Sequence, residues 1–333
     1  MNTTYLGKLD CADPLYEILL SKACPDVKGP LFHVNRMASG RVYKYTEEKS
    51  RVAIIGKFFK TDDIKQDRIS RIKGEYNNLR IIRGYGFDSF PNYVVRPISR
   101  DERIGLALIE EFIQGKDLDH YFRKAIYNDN GDVLKDRLSR LASFLYAFHK
   151  RTENGDYVGL DFVSAYFRKV LNKLYKQTVI SDSDRKEYLK LMDRWLNRTI
   201  IQKAKNVIVH GDATPTNFIF TDNGGVVAID LERMKNSDKI FDVGMVCGEI
   251  KHAFLWRIGN PFRAESFIRH FLKSYSSHFD DYKTAFRKIT SRNPFYMALT
   301  ELRIARNSYL DWNYRKRLAR EAMECLRWGL KLE

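Results

Sequence analysis

Cysteine is scarce and unpatterned. Four residues, Cys11, Cys24, Cys247 and Cys325, are scattered over 333 positions, and no CxxC pair exists, so neither a zinc knuckle nor a thioredoxin-like redox site is written here. Scattered thiols suit a reducing compartment. Eight prolines and 19 glycines are too few for a collagen-like, mucin-like or low-complexity chain. No uncharged apolar run approaches the roughly 18 residues of a membrane-spanning helix. The opening MNTTYLGKLDCADPLYEIL has no basic stretch followed by an apolar one, as a secretory leader would. A cytoplasmic protein without a transmembrane segment is predicted, and peripheral contact with an anionic membrane stays open.

What is present is ample apolar material. Hydrophobic residues make up 44% and aromatics 13%, against 30% charged, enough to bury a core in one large domain or two modest ones. Lys and Arg total 58 against 42 Asp and Glu, a formal charge of +16. Such a field attracts nucleic acid, anionic head groups or phosphorylated metabolites and opposes multiply cationic ligands.

Residues 1–30, with Pro14, Pro25, Gly29 and Pro30, read as an irregular or partly helical lead-in. β-branched and aromatic enrichment then predicts strands at 31–37, 41–47 and 51–59, joined by turn-like pieces short enough for hairpins. An amphipathic helix follows over 64–83, with Ile64, Ile69, Ile72, Leu79 and Ile82 on its apolar side, and two more strands at 94–99 and 105–113. After Gly115 the pattern turns helical: 134–150, about 162–177 and 184–205. Short strands, 207–212 with 217–221 and then 226–230, flank turns before a last helical stretch from about 241. This divides the chain into a lead-in (1–30), a sheet-rich lobe (31–113) and a larger helical lobe (114–333).

The densest chemical signal is HGDATPTNFIFTDNGGVVAIDLE, residues 210–232. Asp212, Asn217 and Asp230 all fall at strand ends near one hairpin. Two carboxylates and a carboxamide so placed can converge on one divalent cation and one hydroxyl, which is what phosphoryl transfer asks of a protein: positioning and charge neutralisation with little covalent chemistry. Oxygen donors of this kind suit Mg²⁺.

This pattern resembles the aminoglycoside phosphotransferase and choline kinase superfamily, protein-kinase-like enzymes that phosphorylate small molecules. In that family His-Gly-Asp-x-x-x-x-Asn is followed by Ile-Asp-(aromatic)-Glu, and both stand here in register, with Leu231 where the family usually has Trp or Phe. The resemblance implies an α+β, bilobal protein-kinase-like fold with a five-stranded antiparallel sheet in the amino-terminal lobe. It implies that Asp212 orients or deprotonates the acceptor hydroxyl, that Asn217 and Asp230 bind magnesium and that His210 braces the catalytic loop. Asp242, in FDVG, matches the later aspartate that pins this loop. Glu232 reads as a neighbouring brace or occasional metal residue.

The amino-terminal half carries the same resemblance. Lys57, ending AIIGK, matches the lysine that neutralises the nucleotide phosphates, its charged end predicted to be open enough for removal without unfolding. Glu75 matches its carboxylate partner. The phosphate loop departs from the kinase glycine pattern: the register reads Asn35, Met37, Gly40 and Val42, leaving an Ala38-Ser39-Gly40 turn in which Ser39 and Gly40 would approach phosphate. IEEFIQGKDL (109–118) matches the hinge, with the Glu111 carbonyl and Ile113 amide facing adenine, and Val42, Ile55 and Ile219 around the purine. ASFLYAFHK resembles the helix that precedes the catalytic loop. ATP and Mg²⁺ are the implied cofactors, with GTP left open.

For the acceptor, residues 266–333 hold 14 Lys or Arg against 7 Asp or Glu. That balance favours a neutral or anionic sugar-like or polyol compound, with Arg303 and Arg306 able to engage one anion. Asp311, Glu301 and Glu249 are the carboxylates available to make a pocket locally acidic. An RNA or protein kinase, an aminoglycoside phosphotransferase and a non-catalytic nucleotide-binding protein are the alternatives.

Overall fold

The computed structural model describes residues 3–37, 40–58, 66–128 and 130–332. Ser39 and Ile64 lie outside them. The chain order begins β1 (Thr4–Lys8), α1 (Pro14–Ala23), β2 (Phe32–Arg36), β3 (Val42–Glu47), β4 (Ala53–Phe58), α2 (Gln66–Gly84), β5 (Asn92–Val94), β6 (Pro97–Asp101) and β7 (Leu106–Glu111). It continues through β8 (Lys116–Asp117), α3 (Leu118–Tyr127), α4 (Gly131–Arg151), α5 (Leu160–Lys176), α6 (Asp182–Leu196), α7 (Thr199–Gln202), β9 (Asn206–Val209) and β10 (Phe218–Phe220). It closes with β11 (Val226–Ala228), β12 (Lys235–Asp238), α8 (Ile240–Ile258), α9 (Glu265–Ser276), α10 (Tyr282–Thr290), α11 (Asn293–Ala305) and α12 (Trp312–Gly329).

Two compact units result, one of residues 1–115 with 221–233, the other of 116–220 with 234–333. The architecture is the protein-kinase-like α+β arrangement: an antiparallel sheet with one principal helix, and a larger, mostly helical unit.

In the first unit the sheet has six strands in the order β1-β2-β3-β4-β7-β6, one more than predicted. The extra strand comes from the lead-in. Thr4–Lys8 pairs antiparallel with β2, its register shifting at Gly7, whose φ of +113° a side chain would resist. Pro14, read as a sign of irregularity, stands at the start of α1, where its missing N–H costs nothing, and Asp13 caps the helix. Leu15 and Leu19 of α1 then pack with Phe32, Tyr45, Ile54 and Ile109. The single strand predicted at 94–99 is two: β5 pairs parallel with β11, and β6 pairs with β7.

Strand register positions the chemistry. Side chains alternate along β4, so Ile54 enters that core while Ile55 and Lys57 share the opposite face. Directly opposed residues of an antiparallel pair lie on one face. Val42 is opposite Lys57, and Glu110 is opposite Ile55. All four side chains therefore stand on the same side of the sheet.

In the second unit α4 buries Leu134, Leu138, Leu141, Leu145 and Phe148 along one stripe, and Ser181 with Asp184 forms a capping box on α6. α8 and α11 approach closely because Gly244 and Gly248 carry no side chain: a Cβ on Gly244 would lie 2.4 Å from Tyr296 Cβ. The strands predicted at 207–212 and 217–221 do not pair with each other. β9 pairs with β12, and β10 with β8, so the segment between them is a loop held from elsewhere rather than a hairpin. Among the described residues no helix is long and apolar enough to cross a membrane.

Candidate active site

In the first unit, Lys57 Nζ lies 2.6 Å from Glu75 Oε1 and 3.2 Å from Glu110 Oε1. Glu75 and Glu110 are buried, and the Lys57 side chain is only 16% exposed. The expectation of an open charged end is thus corrected: the ammonium is enclosed by its partners. Burial alone would lower the Lys57 pKa, but the carboxylates of Glu110, Glu75 and Asp230 hold it well above normal. Burial pushes Glu75 up to about 8 against the pull of Lys57, and raises Glu110 as well. Glu110 Oε2 is buried with no hydrogen-bond partner among the described residues. Three carboxylates facing one ammonium leave an excess of negative charge that protons relieve.

Asp230 follows β11 with φ +63°, a left-handed conformation that Asp tolerates better than most residues. The neighbouring Leu231 is fully buried, and its carbonyl accepts a 2.8 Å bond from Asn78 Nδ2 on α2. Glu232 pairs with Arg233 at 3.3 Å. Gly40 adopts φ +71° in the turn before β3. Glu111 Oε1 accepts from Tyr93 Oη at 2.6 Å and from Arg96 N at 2.7 Å, which fixes the end of β7, with half-buried Ile113 just beyond.

In the second unit the loop after β9 hangs on Asp242, at the start of α8. Its Oδ2 accepts from His210 N at 2.7 Å and its Oδ1 from Gly211 N at 3.0 Å. His149, at the end of α4, lies 3.1 Å from Oδ2 through Nε2 and 2.8 Å from Tyr275 Oη through Nδ1. Burial opposes ionisation of Asp242, yet these bonds keep its pKa below the usual carboxylate value. His210 is fully buried, with Asp212 N donating to its Nδ1 at 3.3 Å. Asn217 Nδ2 donates to the Asp212 carbonyl at 2.8 Å, which leaves Oδ1 as the oxygen Asn217 can offer a cation. Ile219 is buried on β10 opposite Asp117.

The Asp212 carboxylate accepts a hydrogen bond from Arg303 Nη2 on α11. The predicted Arg303–Arg306 grip on an anion is therefore not what Arg303 makes. Arg303 also lines a cavity of about 390 Å³ with Asp119, Thr214, Glu249, Trp256 and Tyr309. Asp119 is neutralised by Arg257 at 2.5 Å. Glu249 makes no hydrogen bond or ion pair among the described residues; burial and the charges of Asp212 and Asp119 push its pKa up to about 7 despite Arg303. Of the other carboxylates considered, Glu301 is buried against Lys251 and Asp311 caps α12.

Oxygen donors are therefore available to magnesium in each unit: Asp230 in the first, Asn217 in the second. Among the described residues no group of three or more His, Cys, Asp or Glu side chains is placed to hold a metal ion, and Mg²⁺ commonly takes several of its ligands from nucleotide phosphates and water.

A fold of this kind, with a lysine–glutamate pair in the sheet unit and an aspartate-pinned HGD loop in the helical one, defines a phosphotransferase. The chain belongs to the phosphotransferase enzyme family, whose model matches residues 34–285. A search of curated proteins returns no match. Among solved structures, an ethanolamine kinase from Plasmodium vivax has a TM-score of 0.62 at 14% identity, covering 95% of this chain and 87% of that one. An amicoumacin kinase solved with AMP-PNP and calcium has a TM-score of 0.58 at 16% identity, covering 88% and 87%. An aminoglycoside phosphotransferase from Alicyclobacillus acidocaldarius has a TM-score of 0.53 at 14% identity, covering 94% and 93%.

Proposed function

We propose that the protein is an ATP- and magnesium-dependent kinase that phosphorylates a hydroxyl of a small molecule in the cytoplasm. The observation that carries this reading is the pinned loop: Asp242 fixes the backbone at His210 and Gly211, and Asp212 follows at once. In the reaction, Asp212 accepts the proton of the acceptor hydroxyl as its oxygen bonds to the γ-phosphorus and the bond to the β–γ bridging oxygen breaks, releasing ADP. Lys57, oriented by Glu75, neutralises nucleotide phosphate charge. Asn217 and Asp230 hold Mg²⁺, which when bound neutralises the phosphate oxygens. Adenine is taken by the Glu111 carbonyl and Ile113 amide, with Val42, Ile55 and Ile219 as apolar contacts and Ser39 and Gly40 near the phosphates; GTP is the alternative nucleotide.

The 390 Å³ cavity suits a small acceptor better than a polymer. Of the acceptor classes that composition favours, it supports the neutral one, because Arg257 and Arg303 already have carboxylate partners and leave little cationic reserve for a multiply charged anion. Glu249 favours a second reading, a hydroxyl compound bearing one amino group. A panel of sugars, polyols, sugar phosphates, amino alcohols and aminoglycosides, scored by ADP release and by mass of the product, tests both. Turnover confined to sugar phosphates would overturn them.

A further inference from the structure

The first unit holds a cavity of about 560 Å³ that the proposed reaction does not use. Its wall carries two cations, Lys44 and Arg51, three neutral polar side chains, Asn35, Thr46 and Gln114, and the ring of Phe112. Among the described residues no Asp or Glu lines it, and none of these five polar side chains makes a hydrogen bond or ion pair with another described residue. His33, which also borders it, is engaged by Glu48 at 3.1 Å, and Lys8 shares that carboxylate at 3.2 Å. Lys44 Nζ sits 3.7 Å from the centre of the Phe112 ring. Burial lowers its pKa, with no carboxylate to oppose the shift. Arg51 comes from the turn after β3, which is built around the buried Glu47. There Oε2 accepts from Lys49 N at 2.9 Å, Ser50 N at 2.5 Å and Ser50 Oγ at 2.8 Å. Arg51 N donates to the Glu47 carbonyl at 3.1 Å, with φ +60°. The turn thus sets a guanidinium on the cavity without giving it a carboxylate.

We propose that this cavity is a second anion site, which takes the phosphate group of a small phosphorylated compound between Lys44 and Arg51. A tetrahedral dianion with several acceptor oxygens matches two cations with the donors of Asn35, Thr46 and Gln114 around them. The volume exceeds what a bare phosphate fills and leaves room for a small organic group. Strand register separates this site from the nucleotide. Asn35 is opposite Lys44, and Thr46 is opposite Ala53, which borders the cavity. Ala53 lies on the Lys57 face of β4 but four residues earlier, about 13 Å away at strand spacing. A nucleotide with its base on Ile55 and its phosphates at Lys57 therefore runs away from this cavity.

The test titrates inorganic phosphate and pyrophosphate into the full chain by calorimetry, at an ionic strength held constant with chloride so that screening is not counted as binding. Each titration is run with and without saturating Mg-AMP-PNP, on the wild type, Lys44→Met, Lys44→Arg and Arg51→Asn, the last keeping a residue that tolerates the left-handed backbone. The wild type is expected to bind at least one of the two anions with a Kd of about 1 mM or tighter, nucleotide present or absent. Lys44→Met and Arg51→Asn should each weaken binding about tenfold, the loss of one charge-assisted hydrogen bond, while Lys44→Arg keeps it within about threefold. The same anion should raise the melting temperature of the wild type and leave that of Lys44→Met unmoved. Arg51→Asn carries the test should Lys44→Met fail to fold. No binding of either anion by the wild type at about 10 mM, or equal binding by Lys44→Met and Arg51→Asn, overturns the proposal. Displacement of the anion by AMP-PNP overturns it too, because the anion would then occupy the nucleotide site. A wild type that binds phosphate but no AMP-PNP leaves this site standing and contradicts the nucleotide reading alone.

Discussion

Glu110 stands against Lys57, its Oε1 3.2 Å from the ammonium nitrogen, although Glu75 already occupies that ammonium at 2.6 Å. The lysine is therefore the counter-ion of a buried acidic group as well as a candidate phosphate ligand. Lys57→Met should lower the melting temperature, since breaking a buried pair leaves uncompensated charge, typically about 3–5 kcal/mol. The loss should be larger at pH 8 than at pH 5, where Glu75 and Glu110, with pKa values raised by burial, take up protons. Adding Glu110→Gln should restore part of the stability. Thermal unfolding at the two pH values checks this, and equal losses at both would contradict it.

Asp242→Asn removes the charge that accepts from His149, His210 N and Gly211 N. The expected cost is about 2–4 kcal/mol, because hydrogen bonds to buried charged groups are each worth more than neutral ones. Urea unfolding measures the cost, and phosphate transfer should fall with it as the loop loses its anchor.

Glu249 has a pKa pushed up to about 7 against an unfolded value near 4.3. Between those values the folded protein holds a proton that the unfolded chain has released, so stability declines as pH rises through this window and the penalty persists above it. His252, lowered to about 4 by burial, acts oppositely: stability rises as pH climbs from about 4 to 6.5. Glu249→Gln should flatten the decline between about pH 5 and 7 and raise the melting temperature at pH 8 by about 2–4 °C. An unchanged pH profile would show that Glu249 is ordinarily hydrated.

Gly244→Ala tests the helix crossing. With a new Cβ 2.4 Å from Tyr296 Cβ and 2.9 Å from its backbone carbon, α8 and α11 must separate, at about 1–3 kcal/mol or more for overpacking. Chemical denaturation reads this directly, and an unaffected midpoint would mean that the helices can slide.

Much of this was legible because local pattern and chemistry coincide. The alternation in AIIGKF and the helical spacing of 134–150 depend on near neighbours, and HGD, Asn217 and IDLE are contiguous enough to read as a set. What stayed hidden depends on pairing between distant segments. Thr4–Lys8 has no strand signature apart from β2, and Pro14 reads as a breaker until the helix it starts is seen. Glu110 becomes a partner of Lys57 only when the β4–β7 register puts it opposite Ile55. Arg303 meets Asp212 across 91 residues, and composition described it as part of a basic tail when its contact is with one carboxylate.

The central claim is phosphoryl transfer that depends on Asp212, and one measurement addresses it most directly. Wild type and Asp212→Asn are incubated with MgATP labelled at the γ-phosphoryl group and the hydroxyl panel, with MgATP binding titrated in parallel. The account predicts a labelled small-molecule product from the wild type, a rate about 10²–10⁴-fold lower in Asp212→Asn, and similar nucleotide affinity in both. Labelled product formed equally fast by Asp212→Asn, or no transfer and no MgATP binding by the wild type, would contradict it.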